Sequence, residues 1–325
     1  MRILVTGGSG FIGTHFIDLL RRARPDAAIC NVDLRAPKLE SHRCYWTKCD
    51  ILDGSQLDSV VLQFGPTHVV HMAARTDTDS NNIADYRVNT EGSANLIASM
   101  KPCSTIERTI FVSTQYVVGP GKLPDSVRDH RPHTTYGRSK CIMEDLIFKS
   151  DIAATWTIVR PTNVWGSWHP RYAEEFWLIV KKGKYVHPGG APVYRGYAYV
   201  GNVVEQIWAI FHKETASVDR RVIYVGDEVA DIRVWVAAFS RALTGKEPRV
   251  VPRSILRLVA LVGDVVKMTG RPFPLFTSRY RSMTGEYRVD MKPTFQLLGP
   301  PRYSLDEGVR QTVDWLRTQG ELWRQ

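Results

Sequence analysis

Apolar residues gather in short runs at 2–5, 28–32, 67–72, 108–113 and 155–160. Between these runs, at about 11–24, 55–64, 84–100 and 136–149, they recur every three or four positions among polar residues. The first pattern suits strands buried on both faces, the second helices with one apolar stripe. Their alternation predicts an α/β fold, a parallel sheet with right-handed crossovers and helices on both faces. Such a sheet takes its ligand at the carboxyl ends of its strands. After Arg160 the rhythm changes, and Trp165, Trp168, Trp177, Pro188, Gly189 and Gly190 crowd the next segment. A late run, Arg221 to Val225, followed by Gly226-Asp227, predicts a strand that returns to the sheet. Residues 230–325 read as helices joined by proline-rich loops. No repeat, low-complexity stretch or hydrophilic linker interrupts the chain, so two coupled halves around a cleft are expected.

Composition narrows this picture only where it excludes something. The chain has 325 residues, 43% hydrophobic and 23% charged, which is ordinary globular composition. No run reaches the ~18 apolar residues of a spanning helix, and no cleavable apolar leader is expected ahead of the first strand. The longest apolar stretch, Ile255 to Val266, is broken by Arg257 and Asp264. It reads as a core or interface helix, with a membrane-surface amphipathic helix as the alternative. Cys30, Cys44, Cys49, Cys103 and Cys141 are scattered, without a C-x-x-C pair or a His spacing that would hold zinc. Reduced thiols of a cytoplasmic protein, and no metal, are expected. The net charge is +10, and residues 241–325 hold 15 Lys and Arg against 8 Asp and Glu. A phosphorylated substrate or an acidic membrane surface would suit that excess. Basic runs interleaved with aromatic platforms are missing, so nucleic acid is not expected.

The most specific segment follows the first strand. Gly7, Gly10 and Gly13 stand in G-x-x-G-x-x-G spacing between an apolar strand and an apolar helix. Gly7 allows a sharp turn, Gly10 lets a pyrophosphate approach backbone N–H groups, and Gly13 lets helix and strand sit close. The helix start, with Phe11 and Ile12, offers unpaired donors and a positive dipole end to phosphate. Twenty residues past Gly13, Asp33 ends the second apolar run, where a carboxylate accepts from an adenosine ribose. Together these predict a dinucleotide site.

A second constellation lies at 113–140. Tyr136 and Lys140 share one face of a predicted helix, one turn apart. A tyrosine of pKa near ~10 is a poor base at neutral pH, and a nearby ammonium is expected to lower that value. The pair then exchanges a proton with a substrate hydroxyl or carbonyl. Ser113-Thr114 closes the strand before it, and a hydroxyl there can hold the reacting oxygen.

With these residues in hand, the chain resembles the extended short-chain dehydrogenase/reductase superfamily in its sugar-nucleotide epimerase/dehydratase branch, UDP-glucose 4-epimerase-like. The resemblance covers nearly the whole length and implies a Rossmann-type doubly wound parallel sheet with a smaller, mainly C-terminal substrate-binding domain. The implied boundaries are 1–165 for the dinucleotide-binding domain, with 197–228 returning to it, and 166–196 with 229–325 for the substrate domain. Gly7, Gly10, Phe11, Ile12 and Gly13 match the cofactor fingerprint, and Asp33 the ribose acid, suggesting NAD over NADP, although Arg35 could meet a 2′-phosphate. Asp50 and Ile51 resemble the adenine-contacting pair, with a helix N-cap as the other reading of Asp50. His71-Met72-Ala73-Ala74 is similar to the family's H-x-A-A, placing Ala73 and Ala74 under the pyrophosphate, while His71 itself reads as a satisfied strand-end histidine. Asn89 with Gly92 resembles N-x-x-G, which puts Asn89 at the cofactor. Thr114, Tyr136 and Lys140 take the catalytic positions, and Tyr136 and Lys140 also meet the cofactor. In Arg160-Pro161-Thr162-Asn163-Val164-Trp165-Gly166, which resembles R-P-x-N-V-x-G, Arg160 and Asn163 would border nicotinamide and substrate. Arg195 matches an arginine that meets the substrate diphosphate, with a surface ion pair as its other reading. Leu298-Gly299 and Ser304 to Gly308 resemble the closing segment.

Two departures qualify the resemblance. Dehydratase members carry an Asp-Glu pair after the catalytic Thr, where this chain has Gln115 and Tyr116. Both acids of the R-D-[FY]-x-x-V-x-D segment are replaced, by Gly196 and Asn202. The expected activity is therefore NAD-dependent epimerisation of a nucleotide-activated sugar of UDP-hexose type, through a transient keto intermediate, rather than dehydration. The alternative is an NAD(P)-dependent ketoreductase or dehydrogenase acting on a nucleotide 4-keto sugar or a hydroxysteroid-like alcohol, which the tail around Pro272, Pro274, Thr277 and Thr284 also resembles. The resemblance further implies a homodimer, paired through the helices at 89–100 and 136–148.

Overall fold

The computed structural model describes residues 1–121, 126–271 and 273–323, so Pro272 lies outside the described residues. Its strands are β1 (Arg2–Thr6), β2 (Ala28–Asp33), β3 (Trp46–Lys48), β4 (His68–His71), β5 (Arg108–Val112), β6 (Thr155–Pro161), β7 (Asn163–Trp165), β8 (Val186–Pro188), β9 (Tyr194–Tyr199), β10 (Arg221–Val225), β11 (Val229–Asp231) and β12 (Arg249–Val251). Its helices are α1 (Phe11–Ala23), α2 (Gly54–Phe64), α3 (Arg87–Met100), α4 (Thr135–Phe148), α5 (Leu178–Lys181), α6 (Val200–Ile210), α7 (Thr215–Val218), α8 (Ile232–Thr244), α9 (Arg253–Met268), α10 (Thr277–Thr284), α11 (Lys292–Leu298) and α12 (Leu305–Thr318).

The apolar runs become a seven-stranded sheet in the order β10-β6-β5-β4-β1-β2-β3. Every neighbouring pair in it is parallel. Val5, Val69, Val70, Ile158 and Val159 are fully buried, which explains why these strands read as continuous apolar runs rather than alternating ones. The chain runs outward from β1 through β2 to β3, then returns to β4 and runs the other way. The reversal between β1 and β4 opens a crevice at their carboxyl ends, the usual ligand position of such sheets. The late run at 221–225 does return, as the edge strand β10 beside β6.

The tryptophan-rich middle extends the core on one face of this sheet. Trp235 stacks on Phe176 at 4.6 Å and on Tyr197 at 4.5 Å, and Trp165 meets Phe239 at 5.3 Å. Their buried neighbours Val200, Val203 and Ile207 lie on α6, which packs on α1, so one apolar core runs through both halves. A small sheet, β11-β9-β7, and the pair β12-β8 complete this half. A capping box starts α12: Ser304 accepts from the Glu307 N–H, and Glu307 accepts from the Ser304 N–H. β3, β7, β8, β11 and β12 are three residues each, too short for periodicity to reveal. One expectation is corrected: α9 is not a core helix, because only Leu256, Ala260 and Gly263 of its sixteen residues are buried.

The crossing of β1, α1 and β4 leaves no room for side chains. A Cβ at Gly13 would stand 2.3 Å from the Gly7 carbonyl oxygen and 2.6 Å from Gly8 Cα. Gly13→Ala is therefore expected to lower stability by about 1–3 kcal/mol through overpacking and to weaken dinucleotide binding. Thermal melts and NADH fluorescence titration check both effects.

Candidate active site at the carboxyl edge of the sheet

The cofactor cradle is built from backbone. Gly7 takes φ +74°, and a Cβ there would sit 2.5 Å from the Ala73 nitrogen, so the β1 turn lies directly on the loop after β4. Gly10 caps α1 without a side chain, leaving the Phe11, Ile12 and Gly13 end of the helix open to an anion. Asp33 is held beside it, its two oxygens accepting from Ser9 N at 3.0 Å and Arg35 N at 2.9 Å. Asp50 is not the N-cap of α2. Asp53 takes that role, accepting from Gln56 N at 3.0 Å, while Asp50 accepts from Leu52 N at 2.9 Å. Ile51 is buried, and a Cβ at Gly92 would lie 2.6 Å from its Cδ1, which accounts for that glycine. A Cβ-free cradle, an uncapped helix start and a pinned carboxylate fit a dinucleotide.

Two members of the resemblance serve the wall of this cradle. His71 is fully buried between the Thr6 hydroxyl (2.7 Å) and Ser93 hydroxyl (2.8 Å), and burial lowers its pKa to about 3, so it is a neutral strut. Asn89, expected at the cofactor, spends its amide on protein. It accepts from Arg75 N at 2.8 Å and donates to Arg75 O at 2.9 Å and Ser139 Oγ at 2.8 Å. It thereby fastens the Ala73-Ala74 loop to the helix that carries Tyr136.

That helix, α4, is started by Thr134, whose hydroxyl accepts from Gly137 N at 2.9 Å. Tyr136 and Lys140 are both buried on its inner face, with Thr114 at the end of β5 opposite. The expected lowering of the Tyr136 pKa is not found. Burial pushes the Tyr136 phenol well above its usual range; the Thr114 hydroxyl pulls it down, and the Tyr116 and Tyr86 phenols push it up. Lys140 instead donates to the Val112 carbonyl at 2.9 Å, and burial lowers it to about 8, with Glu144 opposing. Desolvation of the phenolate is the larger effect here.

Glu144, one turn beyond Lys140, was not singled out in the sequence. It is fully buried and accepts from Ser113 Oγ (2.5 Å), Arg160 Nε (2.9 Å) and Arg160 Nη2 (2.6 Å), with His130 Nε2 at 2.9 Å. Arg160, expected to border the nicotinamide, is thus buried behind α4 and also meets the Tyr224 hydroxyl at 3.3 Å. A glutamate on the buried face at i+4 from Lys140 was the available signal.

The substrate side is aromatic. Tyr116 stacks on Tyr287 at 6.0 Å, meets Tyr136 edge-on at 6.1 Å and donates to Asn163 Oδ1 at 3.4 Å. Arg195 lies on β9 in a bridge with Tyr287, which brings it to the same wall. Arg195 Nη1 donates to the Ser282 carbonyl, and among the described residues Arg195 has no ion pair. Its Nε, Asn163 Nδ2 and both amide atoms of Gln115 are buried without a partner among the described residues. Near this wall, a Cβ at Gly196 would press on Thr162 at 3.1 Å. Asn202 donates to Asp227 Oδ1 at 2.8 Å, whose other oxygen accepts from Tyr199 N at 2.7 Å, and burial raises Asp227 to about 7.

The model of the NAD dependent epimerase/dehydratase family matches residues 3–226. The chain belongs to this family. A relative from Escherichia coli O157:H7, N-acetyl-alpha-D-glucosaminyl-diphospho-ditrans,octacis-undecaprenol 4-epimerase, is 28% identical over 96% of this chain and 94% of its own. GDP-6-deoxy-D-talose 4-dehydrogenase of Aggregatibacter actinomycetemcomitans is 30% identical over 66% of this chain and 71% of its own. The fold matches a Thermus thermophilus UDP-glucose 4-epimerase in complex with NAD, with TM-score 0.72, 25% identity and coverage of 98% of this chain and 100% of that one. It also matches the Thermotoga maritima UDP-glucose 4-epimerase with UDP-glucose, with TM-score 0.75, 24% identity and coverage of 98% and 99%. This member of the epimerase/dehydratase family is accordingly an enzyme of an NAD-dependent class, with relatives among epimerases, dehydratases and dehydrogenases.

Two stability tests follow from the site. Glu144→Ala leaves the Arg160 charge buried without a partner and is expected to cost about 3–5 kcal/mol by urea denaturation. His71 binds its proton near pH 6.5 when unfolded and near 3 when folded. The unfolded state therefore holds more protons in that window, and stability falls as pH drops from 6.5 toward 3. Urea midpoints across this range check the slope, which His71→Gln should make shallower.

Proposed function

We propose that the protein is an NAD-dependent epimerase of a diphosphate-activated sugar, a nucleotide sugar of UDP-hexose type. The observation that carries this reading is the pairing of Tyr136 and Thr114 with an aromatic wall whose buried donors, Arg195 Nε and Asn163 Nδ2, lack partners among the described residues. A hydroxyl-bearing, anionic ligand supplies acceptors for both. Gly7, Gly10, Gly13, Asp33 and Asp50 would hold NAD, with Phe11, Ile12, Ile51, Ala73 and Ala74 around it. When bound, NAD supplies the hydride acceptor and donor needed for a transient keto sugar.

The chain's own groups manage protons and position. Tyr136 exchanges a proton with the reacting sugar oxygen, and Thr114 orients that oxygen by a hydrogen bond. Lys140, which donates to the Val112 carbonyl and to Met143 Sδ, keeps one further N–H donor for the nicotinamide ribose. Its charge also favours the phenolate once the ligands complete the site. Arg195 and Asn163 hold the diphosphate. Gln115 and Tyr116 stand where dehydration needs an acid and a base, and the nearby carboxylate of Glu144 is committed to Arg160, which supports epimerisation over water loss. We also propose that α3 and α4 form a dimer face.

The dehydrogenase reading is kept open by the 30% identical GDP-6-deoxy-D-talose 4-dehydrogenase. The two readings part on cofactor traffic. An epimerase should interconvert UDP-hexoses without added cofactor and with no net change in reduced nicotinamide, whereas a dehydrogenase consumes or releases it stoichiometrically. A diphosphate-linked polyprenyl sugar belongs in the same assay, because the Escherichia coli relative is named for one. Tyr136→Phe is expected to lower kcat by about 10³-fold with NAD binding retained. No turnover on any diphosphate-linked sugar would overturn the reading.

A further inference from the structure

Helix α9 is seated on its neighbours through Leu256, Ala260 and Gly263. At Gly263 the chain after the helix crosses so closely that a Cβ would fall on the Leu275 carbonyl oxygen and within 2.7 Å of the Phe273 ring. The opposite face carries Ile255, Leu258, Leu261, Val262, Val265 and Met268, exposed by 52, 64, 51, 50, 64 and 87%. Their spacing of three and four residues makes one continuous apolar stripe. A stripe of this size facing water marks a surface that meets something apolar.

The charges around the stripe identify what it meets. From Arg249 to Arg281 the chain has seven Arg and Lys residues and one acid, Asp264. Asp264 faces inward, accepting from Thr277 N at 3.1 Å and from the Thr277 hydroxyl. None of the seven cations forms an ion pair with a described residue. Arg257, Lys267, Arg271 and Arg281 are exposed, and Lys267 and Arg279 lie over the Phe276 ring at 4.5 and 5.4 Å. A second copy of this helix would bring like charges together. An anionic bilayer offers both acyl chains for the stripe and phosphates for the cations.

We propose that α9 is a membrane-surface helix, its outer stripe lying in the headgroup boundary of an anionic bilayer and its basic flanks on lipid phosphates. The helix is long enough to lie on a bilayer but not to cross one, and no described helix is long and apolar enough to span. The seat is joined to the substrate side. α10 packs on α9, and its Ser282 carbonyl holds Arg195, while Arg253 donates to the Ala191 carbonyl just before β9. The proposal is independent of the sugar and its carrier.

The test is co-sedimentation of the full chain with vesicles of equal parts phosphatidylcholine and phosphatidylglycerol, and with vesicles of phosphatidylcholine alone. The chain is expected to partition onto the mixed vesicles and to come off at high salt. Leu258→Gln/Val262→Gln/Val265→Gln should lose about tenfold or more in partitioning while keeping its nucleotide-sugar turnover. Arg257→Gln/Arg271→Gln, which leaves the apolar seat untouched, should lose about tenfold of the preference for anionic vesicles. A chain that stays in the supernatant with mixed vesicles overturns the proposal, as does binding that neither variant weakens. So does a triple variant whose only change is a fall from dimer to monomer, which would assign the stripe to a second copy.

Discussion

The structure depends on keeping an ammonium inside the protein. Lys140 is 1% exposed, and burial lowers its pKa to about 8. Glu144, one turn along the same helix, opposes that shift, and Arg160 and His130 in turn satisfy Glu144. These side chains bind α4 to the ends of β5 and β6, through Val112 and Ser113 on one strand and Arg160 on the other. The depth and rotation of α4, and hence the place of Tyr136 beside Thr114, follow from where those charges must lie. A buried ion pair adds little net stability. Here its value is positional.

The glycine crossing does with backbone what the charges do with side chains. Gly7 against Ala73 brings β1 and β4 together at the reversal of strand order, and Gly13 against Gly7 fixes α1 on top. From there α1 reaches into the second half. Phe11 meets the His169 ring at 5.1 Å, and the His15 ring hydrogen-bonds Ser167 O at 2.9 Å. The first helix therefore also touches the second half, and one of the large apolar clusters spans both halves while another lies within the first.

Much of this was legible in the residues. Long buried strands announced themselves as apolar runs, and the glycine spacing and the Tyr136/Lys140 pair carried their own geometry. What could not be read depends on contacts distant in sequence. Tyr287 reaches the active-site wall from 172 positions beyond Gln115, whose carbonyl accepts its hydroxyl at 2.7 Å. Asn89 looked like a ligand-binding residue and is a clasp, because no local pattern distinguishes an amide facing a cofactor from one facing Arg75 and Ser139. The surroundings of Tyr136 and Lys140 were beyond the sequence for a related reason. Helical spacing brings two side chains to one face, but which acceptor the ammonium takes, Val112 O here, is decided by the strand beneath.

The Asn202–Asp227 contact bears on how this sequence can vary. The resemblance places an acid at 202, and this chain has the amide there and the carboxylate twenty-five residues later, joined at 2.8 Å. With Asp227 already raised to about 7 by its surroundings, an aspartate restored at 202 alone would set two acids face to face and leave Tyr303 N and O with a changed partner. Neither position can drift freely. The amide at 202 and the carboxylate at 227 thus work as one unit, and a change at either alone leaves the other without its present partner.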